Sequence, residues 1–249
     1  IVEPGDWNAI VERVSPFSAS ESWEGVLVGV RLRVQNGRLE ACATNRYVAA
    51  RYRCGVEGQK EFQIIVPSEL FRGIGRLDVP VVLDRTPEAV CCLWGKGEYE
   101  FVRAGLILEG GYPDINAVLL SCVGYNYWVM DRQKLLDVVR SMRSLETRGT
   151  VREYFRIVLN LKPESVVLEC TGNMGQAKVA LEALGTKETV VALNSGLLLN
   201  CLRAFSGKEI ALGAGDDSKS PVLFCAAEEV EKAIDQRSYM CLLARMVSG

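Results

Sequence analysis

The side chains that could do acid-base or metal chemistry are few in this chain, and their spacing does not favour it. Glu109 and Asp114 bracket a Gly-Gly-Tyr-Pro segment, and Asp216-Asp217 form an adjacent pair. Paired carboxylates of this kind can hold a hard divalent cation or share acid-base work. Around them, however, there is no phosphate-cradling glycine loop and no nucleophile elbow, and Asp216-Asp217 run into Ser218 in a turn-like stretch. The chain has no histidine, which removes the commonest general base and the Ser-His and Cys-His nucleophile arrangements. Its 9 cysteines include the neighbours Cys91 and Cys92 but no Cys-x-x-Cys spacing suited to zinc, so they are expected to be reduced, mostly buried thiols. A small metal-dependent enzyme built on these carboxylates is the weaker reading; the expectation is no catalytic residue, no metal and no cofactor.

A second set of side chains could do electrostatic work. Arg13, Arg72, Arg76, Arg132, Arg140, Arg143 and Arg203 fall in helix-patterned segments, off the apolar stripes. After Ser68, for example, Leu70, Ile74 and Leu77 form the apolar side, with Arg72 and Arg76 well round toward the other. The net charge of -2 is not that of a protein that grips a polyanion with its whole surface. Any such contact must rest on a local basic face, and the arginines taken alone describe only solvated helix faces.

The elements that position these residues occur twice. Trp7, Ile10, Val11 and Val14 share one helical face, followed by an alternating strand Leu27 to Val34, the hairpin signal Asn36-Gly37, a strand Arg38 to Thr44 and another from Tyr47 to Arg53. Phe62 to Val66 then leads into a helix from Ser68 to about Leu77. The second half repeats the order. Asp131 is a plausible cap for a helix carrying Leu135, Val138, Val139 and Met142. Strands follow at Phe155 to Leu161, Val166 to Cys170 and Lys178 to Leu184, and Thr189 to Leu193 leads into a helix ending near Phe205. Ser68 and Asn194-Ser195 are expected to cap the two later helices. Each half closes on further strands, so the fold class is α+β: two domains of one design, 1–122 and 123–249, each with two helices on antiparallel sheets. No apolar run approaches the ~20 residues that cross a bilayer. The first residues have no secretory pattern, and a cytoplasmic location is expected.

Within that frame particular residues resemble a known family. Leu27-Val28-Gly29-Val30-Arg31-Leu32 and Leu39-Glu40-Ala41-Cys42-Ala43-Thr44-Asn45-Arg46-Tyr47 are similar to the middle domain of the bacterial DNA polymerase III β subunit, the DNA sliding clamp. Gly111-Tyr112-Pro113-Asp114-Ile115 resembles that family's interdomain segment. Leu193-Asn194-Ser195-Gly196-Leu197-Leu198 and Ser220-Pro221-Val222-Leu223 resemble its last domain. The resemblance covers essentially the whole chain, but only two of the family's three domains.

What it implies is a DNA-clamp fold and a non-enzymatic processivity factor for DNA replication. Such a subunit joins a ring oligomer around duplex DNA and tethers polymerase and clamp loader through short peptide motifs. A two-domain chain implies a homotrimer, and a homodimer if an N-terminal domain is missing; the subunit contact is heterologous and must close. The resemblance makes Arg13, Arg72, Arg76, Arg132, Arg140, Arg143 and Arg203 the DNA-facing residues. It places the partner-peptide pocket at Leu27, Thr44, Tyr47, Val48, Leu120, Pro221, Leu242, Ala244 and Met246. Several of these depart from the family pattern. Asn45, Val48 and Ala49 stand in a Thr-Asp-x-x-Arg-Leu segment, Leu120 replaces a proline, and Ala244-Arg245 replaces Met-Pro, so altered peptide preference is expected, as in a divergent phage or plasmid version. A clamp-like structural protein that does not encircle DNA is the other reading.

Overall fold

A computed structural model describes residues 1–58, 60–146 and 155–246. The chain divides into two compact units, Ile1–Ile115 and Asn116–Gly249.

The first unit runs α1 (Pro4–Ala9), continued by a π-helical segment Ile10–Val14, then β1 (Gly29–Gln35), β2 (Arg38–Thr44), β3 (Val48–Gly55), β4 (Phe62–Pro67), α2 (Ser68–Ile74), β5 (Val82–Arg85), β6 (Ala89–Lys96) and β7 (Tyr99–Leu106). Two antiparallel sheets result, ordered β4-β1-β2-β3 and β5-β6-β7. The β1–β2 turn has Asn36 at φ 50° and Gly37 at φ 69°. Both are left-handed, as a two-residue hairpin that follows strand twist requires. Trp7 is fully buried, its ring centroid 5.4 Å from that of Phe71, and its Nε1 donates to the Gly75 carbonyl at 3.0 Å. That one side chain ties α1 to the end of α2, and truncating it to alanine would cost about 3–5 kcal/mol.

The second unit takes over within α3 (Ile115–Leu120). It continues through β8 (Asn126–Asp131), α4 (Arg132–Met142), β9 (Arg156–Leu161), β10 (Ser165–Gly172), β11 (Gly175–Leu184), β12 (Thr189–Asn194), α5 (Ser195–Arg203), β13 (Glu209–Ala214), β14 (Val222–Ala226) and β15 (Tyr239–Leu243). Its strands are ordered β12-β9-β10-β11-β8-β13-β14-β15, all antiparallel. The link between β11 and β8 is short, confined to Ala183↔Met130 and Leu184↔Val129.

The internal repeat is therefore structural. β9 to β12 repeat the order of β1 to β4, and β13 to β15 repeat β5 to β7. β8, which the sequence pattern did not mark, pairs with β13; in the first unit that place is held by a single bridge, Val2↔Val81, just ahead of β5. Asp131 caps α4, accepting from the Lys134 N–H at 2.8 Å, and Asn194 caps α5, accepting from the N–H groups of Gly196 and Leu197. The third expected cap differs. Ser68 is the first residue of α2, its Oγ accepts from Arg72 Nη2 at 3.2 Å, and the helix has no side-chain cap. α2 also stops at Ile74 instead of running to Leu77, because Gly75 turns to φ 71° with its N–H on the Phe71 carbonyl. The chain beyond it is held by Asn8, whose side chain both donates to and accepts from the Leu77 backbone. On α4 the buried stripe is Leu135, Leu136, Val139 and Met142, with Val138 only half-buried. Among the described residues no helix is long and apolar enough to cross a membrane.

Candidate functional site

The helices of each unit bury one face and present the other. Within the helices stand Arg13, Arg72, Arg132, Lys134, Arg140 and Arg203, and Arg76 and Arg143 follow just past helix ends. Within the same helices the acidic residues are Asp6, Glu12, Glu69 and Asp137, fewer than the bases although the chain as a whole is slightly acidic. The seven arginines are not equivalent. Arg72, Arg76, Arg140 and Arg203 are exposed. Arg76 faces Glu12 at 3.2 Å and Arg140 faces Asp137 at 3.2 Å, both as solvated pairs that contribute little and leave the guanidinium available to a stronger anion. Arg13 is half-buried beside Tyr52, whose hydroxyl donates to Asp6.

Arg132 holds structure together. Its Nε donates to the Gly207 carbonyl at 2.7 Å and its Nη1 to Leu202 at 3.3 Å, satisfying carbonyls at the end of α5. Arg143 is half-buried against the start of α5, where a Cβ on Gly196 would come within 3.6 Å of its Nη2. Helical periodicity cannot separate these two from their exposed neighbours, because the partners come from another element.

The expected pocket residues fall into two groups. In the first unit, Leu27, Thr44 and Val48 are buried, while Tyr47 is 64% exposed at the β2–β3 turn. The Thr44 hydroxyl donates to the Val48 carbonyl and accepts from the Arg46 N–H, which lets Arg46 adopt φ 77°. Trp23, 73% exposed in a short helical turn ahead of β1, is an apolar surface residue that periodicity did not single out.

In the second unit, Leu120 is 59% exposed at the end of α3, and Leu242 is buried in β15 opposite Leu223. The pairing Val222↔Leu243, continued by one residue, sets Pro221 beside Ala244. Both are half-buried, as is Met246. The Pro221 carbonyl accepts from the Tyr125 hydroxyl at 3.0 Å, Arg245 donates to the Gly215 carbonyl at 2.7 Å, and the Met246 N–H reaches the Ala192 carbonyl at 2.7 Å. These bonds order the chain after β15, where Pro221, Ala244 and Met246 are apolar and half-buried.

Of the carboxylates that could have supported an enzyme, the adjacent pair Asp216-Asp217 has other partners. Asp216 pairs with Lys187 at 3.0 Å, and Asp217 builds a turn by accepting from the Lys219 N–H and Ser220 Oγ. Among the described residues no group of three or more His, Cys, Asp or Glu is placed to hold a metal ion. All nine cysteines are free; burial pushes the Cys42 and Cys92 thiols up to about 12 and Cys225 to about 11.

No family model matches the chain, and no curated protein matches it. Solved structures do. The DNA polymerase sliding clamp of Bacillus subtilis superposes with a TM-score of 0.86 at 15% identity, over 100% of this chain and 64% of that one. The DNA polymerase III subunit β of Pseudomonas aeruginosa gives 0.83 at 20% identity, over 99% of this chain and 65% of the other. The β subunit of Thermotoga maritima gives 0.83 at 14% identity, over 100% and 65%. This chain thus spans a little under two thirds of the length of the clamps it matches. Across its whole described length it has the fold of the bacterial DNA polymerase III β subunit, the DNA sliding clamp.

Proposed function

We propose that this chain is the subunit of a DNA sliding clamp, a cytoplasmic, non-enzymatic ring that encircles duplex DNA and tethers a replicative polymerase and its clamp loader through short peptides. The observation that carries the reading is the joint occurrence of the clamp fold over the full chain and a surplus of arginines on its helices, in a protein whose net charge is -2. A duplex that must slide needs non-specific phosphate contact without a tight grip, and scattered guanidiniums provide that.

Open strand edges support assembly. Among the described residues β7 pairs only with β6, and its Tyr99, Phe101, Val102 and Leu106 are exposed although successive residues point to opposite faces. β11 pairs with β10 along its length but with β8 only at Ala183 and Leu184, leaving its remaining edge open within the second unit. Long uncovered edges of this kind invite pairing with another chain. With two units per subunit, three copies complete a ring of six; a subunit with a third unit of the same kind would close as a dimer. The peptide contact is assigned to Pro221, Ala244 and Met246, with Leu120, on the second unit.

Native mass spectrometry and retention on circular DNA test the reading together. A trimer that stays on circular plasmid and runs off the linearised plasmid is expected. A closed oligomer released equally from both forms would favour a clamp-like protein that does not encircle DNA.

A further inference from the structure

We propose that the solvent side of the β1–β2–β3 sheet is a docking groove for an extended, acidic segment of a partner protein. Strand register sets Arg33 opposite Glu40 and Glu40 opposite Arg53, while Arg38 lies two pairs away, opposite Gln35. Side chains two apart share a face, so these four stand together. They line an open groove of about 450 Å³ with Gln35 and Asn36.

Its charge is unbalanced. The carboxylate of Glu40 is buried and already shared, one oxygen on Arg31 at 2.7 Å and the other on Arg53 Nε at 2.7 Å. Arg33 and Arg38 have no ion-pair partner among the described residues. The nearby Glu61 is engaged at the hairpin, accepting from the Asn36 N–H at 3.1 Å. Two guanidiniums therefore face the groove with no carboxylate of their own. One of them, Arg33, is half-buried and already partly stripped of water.

The fold does not require this arrangement, because the second unit makes the same sheet without it. Aligning the strand-to-helix junctions Pro67–Ser68 and Asn194–Ser195 sets Arg33 against Asn160, Glu40 against Val167, Arg53 against Ala180 and Arg38 against Ser165. Four charged positions in one copy of the repeat are neutral in the other. Arginine in preference to lysine suits fork-like pairing with planar carboxylates. Among the described residues no aromatic side chain lines the groove on which bases could stack, which favours a carboxylate-rich peptide over single-stranded nucleic acid. The inference stands independently of the clamp reading.

The test uses the full chain and a fluorescent Asp/Glu-rich peptide as probe, read by anisotropy at low salt. The groove arginines are replaced by their counterparts from the repeat, Arg33→Asn with Arg38→Ser; Lys162→Gln removes a charge from the exposed turn after β9 as a control, and Arg38→Glu alone, at an exposed hairpin position, is the second groove variant. The double variant is expected to weaken binding at least about tenfold, as loss of charge-assisted hydrogen bonds implies. Arg38→Glu is expected to weaken it comparably, and Lys162→Gln to leave it unchanged. Equal affinity in wild type and both groove variants overturns the assignment, as does an equal loss in Lys162→Gln. Tighter binding of an oligothymidylate than of the peptide, lost in the same groove variants, also overturns it and makes the groove a nucleic-acid site.

Discussion

The Sγ atoms of Cys201 on α5 and Cys241 on β15 lie 3.1 Å apart, both fully buried in the core of the second unit. Burial pushes the Cys241 thiol well above the ordinary range, and the hydrogen bond with Cys201 pushes it the same way. The thiolate is the reactive form, so proximity here does not confer reactivity. Iodoacetamide at about pH 8 is expected to reach the half-buried Cys91 first. Cys201 and Cys241 should stay unmodified until the protein is denatured. Peptide mass mapping of native and denatured samples checks this, and alkylation of either residue at the rate of Cys91 in the native protein would contradict it.

Much of this architecture is legible in the sequence because it is written in local chemistry. Asn36-Gly37 announces its hairpin, and Asp131 and Asn194 announce their helices, since the groups they satisfy lie within three residues. What is not legible depends on partners far along the chain. The early end of α2 turns on a left-handed Gly75, a conformation that glycine allows but does not announce. Val2 reads as nothing until Val81 is seen beside it, and Arg132 looks like Arg140 until the carbonyls of Leu202 and Gly207 are placed. The arginine groove is hidden for the same reason: Arg33, Glu40 and Arg53 become one row only when three strands are set in register.

Acid should weaken the second unit through Glu229. Its buried carboxylate loses solvation, which alone would raise its pKa. The N–H and O–H of Ser238, at 3.0 and 2.8 Å, and Lys232 Nζ at 3.3 Å outweigh that and hold it below the usual glutamate value. A pKa lower in the folded state stabilises above the unfolded value, about 4.3, and that stability is lost as pH falls through the folded one. Glu229→Gln is expected to lose about 1–2 kcal/mol at neutral pH, the worth of hydrogen bonds to a charged group. The gap from wild type should close below about pH 4. Urea denaturation of both proteins at several pH values measures it; a gap independent of pH would remove the carboxylate from the account.

The four exposed arginines should act on DNA without acting on the fold. Among the described residues, replacing Arg72, Arg76, Arg140 and Arg203 by glutamine breaks only the solvated pairs with Glu12 and Asp137 and the bond from Arg72 to Ser68, a total cost of about 1–2 kcal/mol. Each phosphate left without its guanidinium should flatten the dependence of log affinity on log salt by about 0.9. Retention on DNA is therefore expected to fall most at low salt, with a slope shallower by roughly 2–4. An unchanged slope would mean that the helices do not face the duplex.

The row after β15 gives the sharpest test of partner binding. Met246 is half-buried and its N–H is fixed on the Ala192 carbonyl, so the side chain at this position can change while the backbone stays in place. Met246→Glu puts a carboxylate against whatever apolar side chain a peptide inserts there, and an unpaired charge so desolvated costs at least a few kcal/mol. Affinity for a labelled peptide from the cognate polymerase is expected to drop by about tenfold or more, since about 1.4 kcal/mol suffices for that. Oligomer mass should not change, because the free edges of β7 and β11 lie on other elements. Met246→Leu keeps the apolar surface and should restore binding to within a few-fold of wild type. If the Glu variant binds the peptide as wild type does while its assembly is intact, the partner surface is not on this row, and the exposed Tyr47 and Trp23 of the first unit become the residues to replace next.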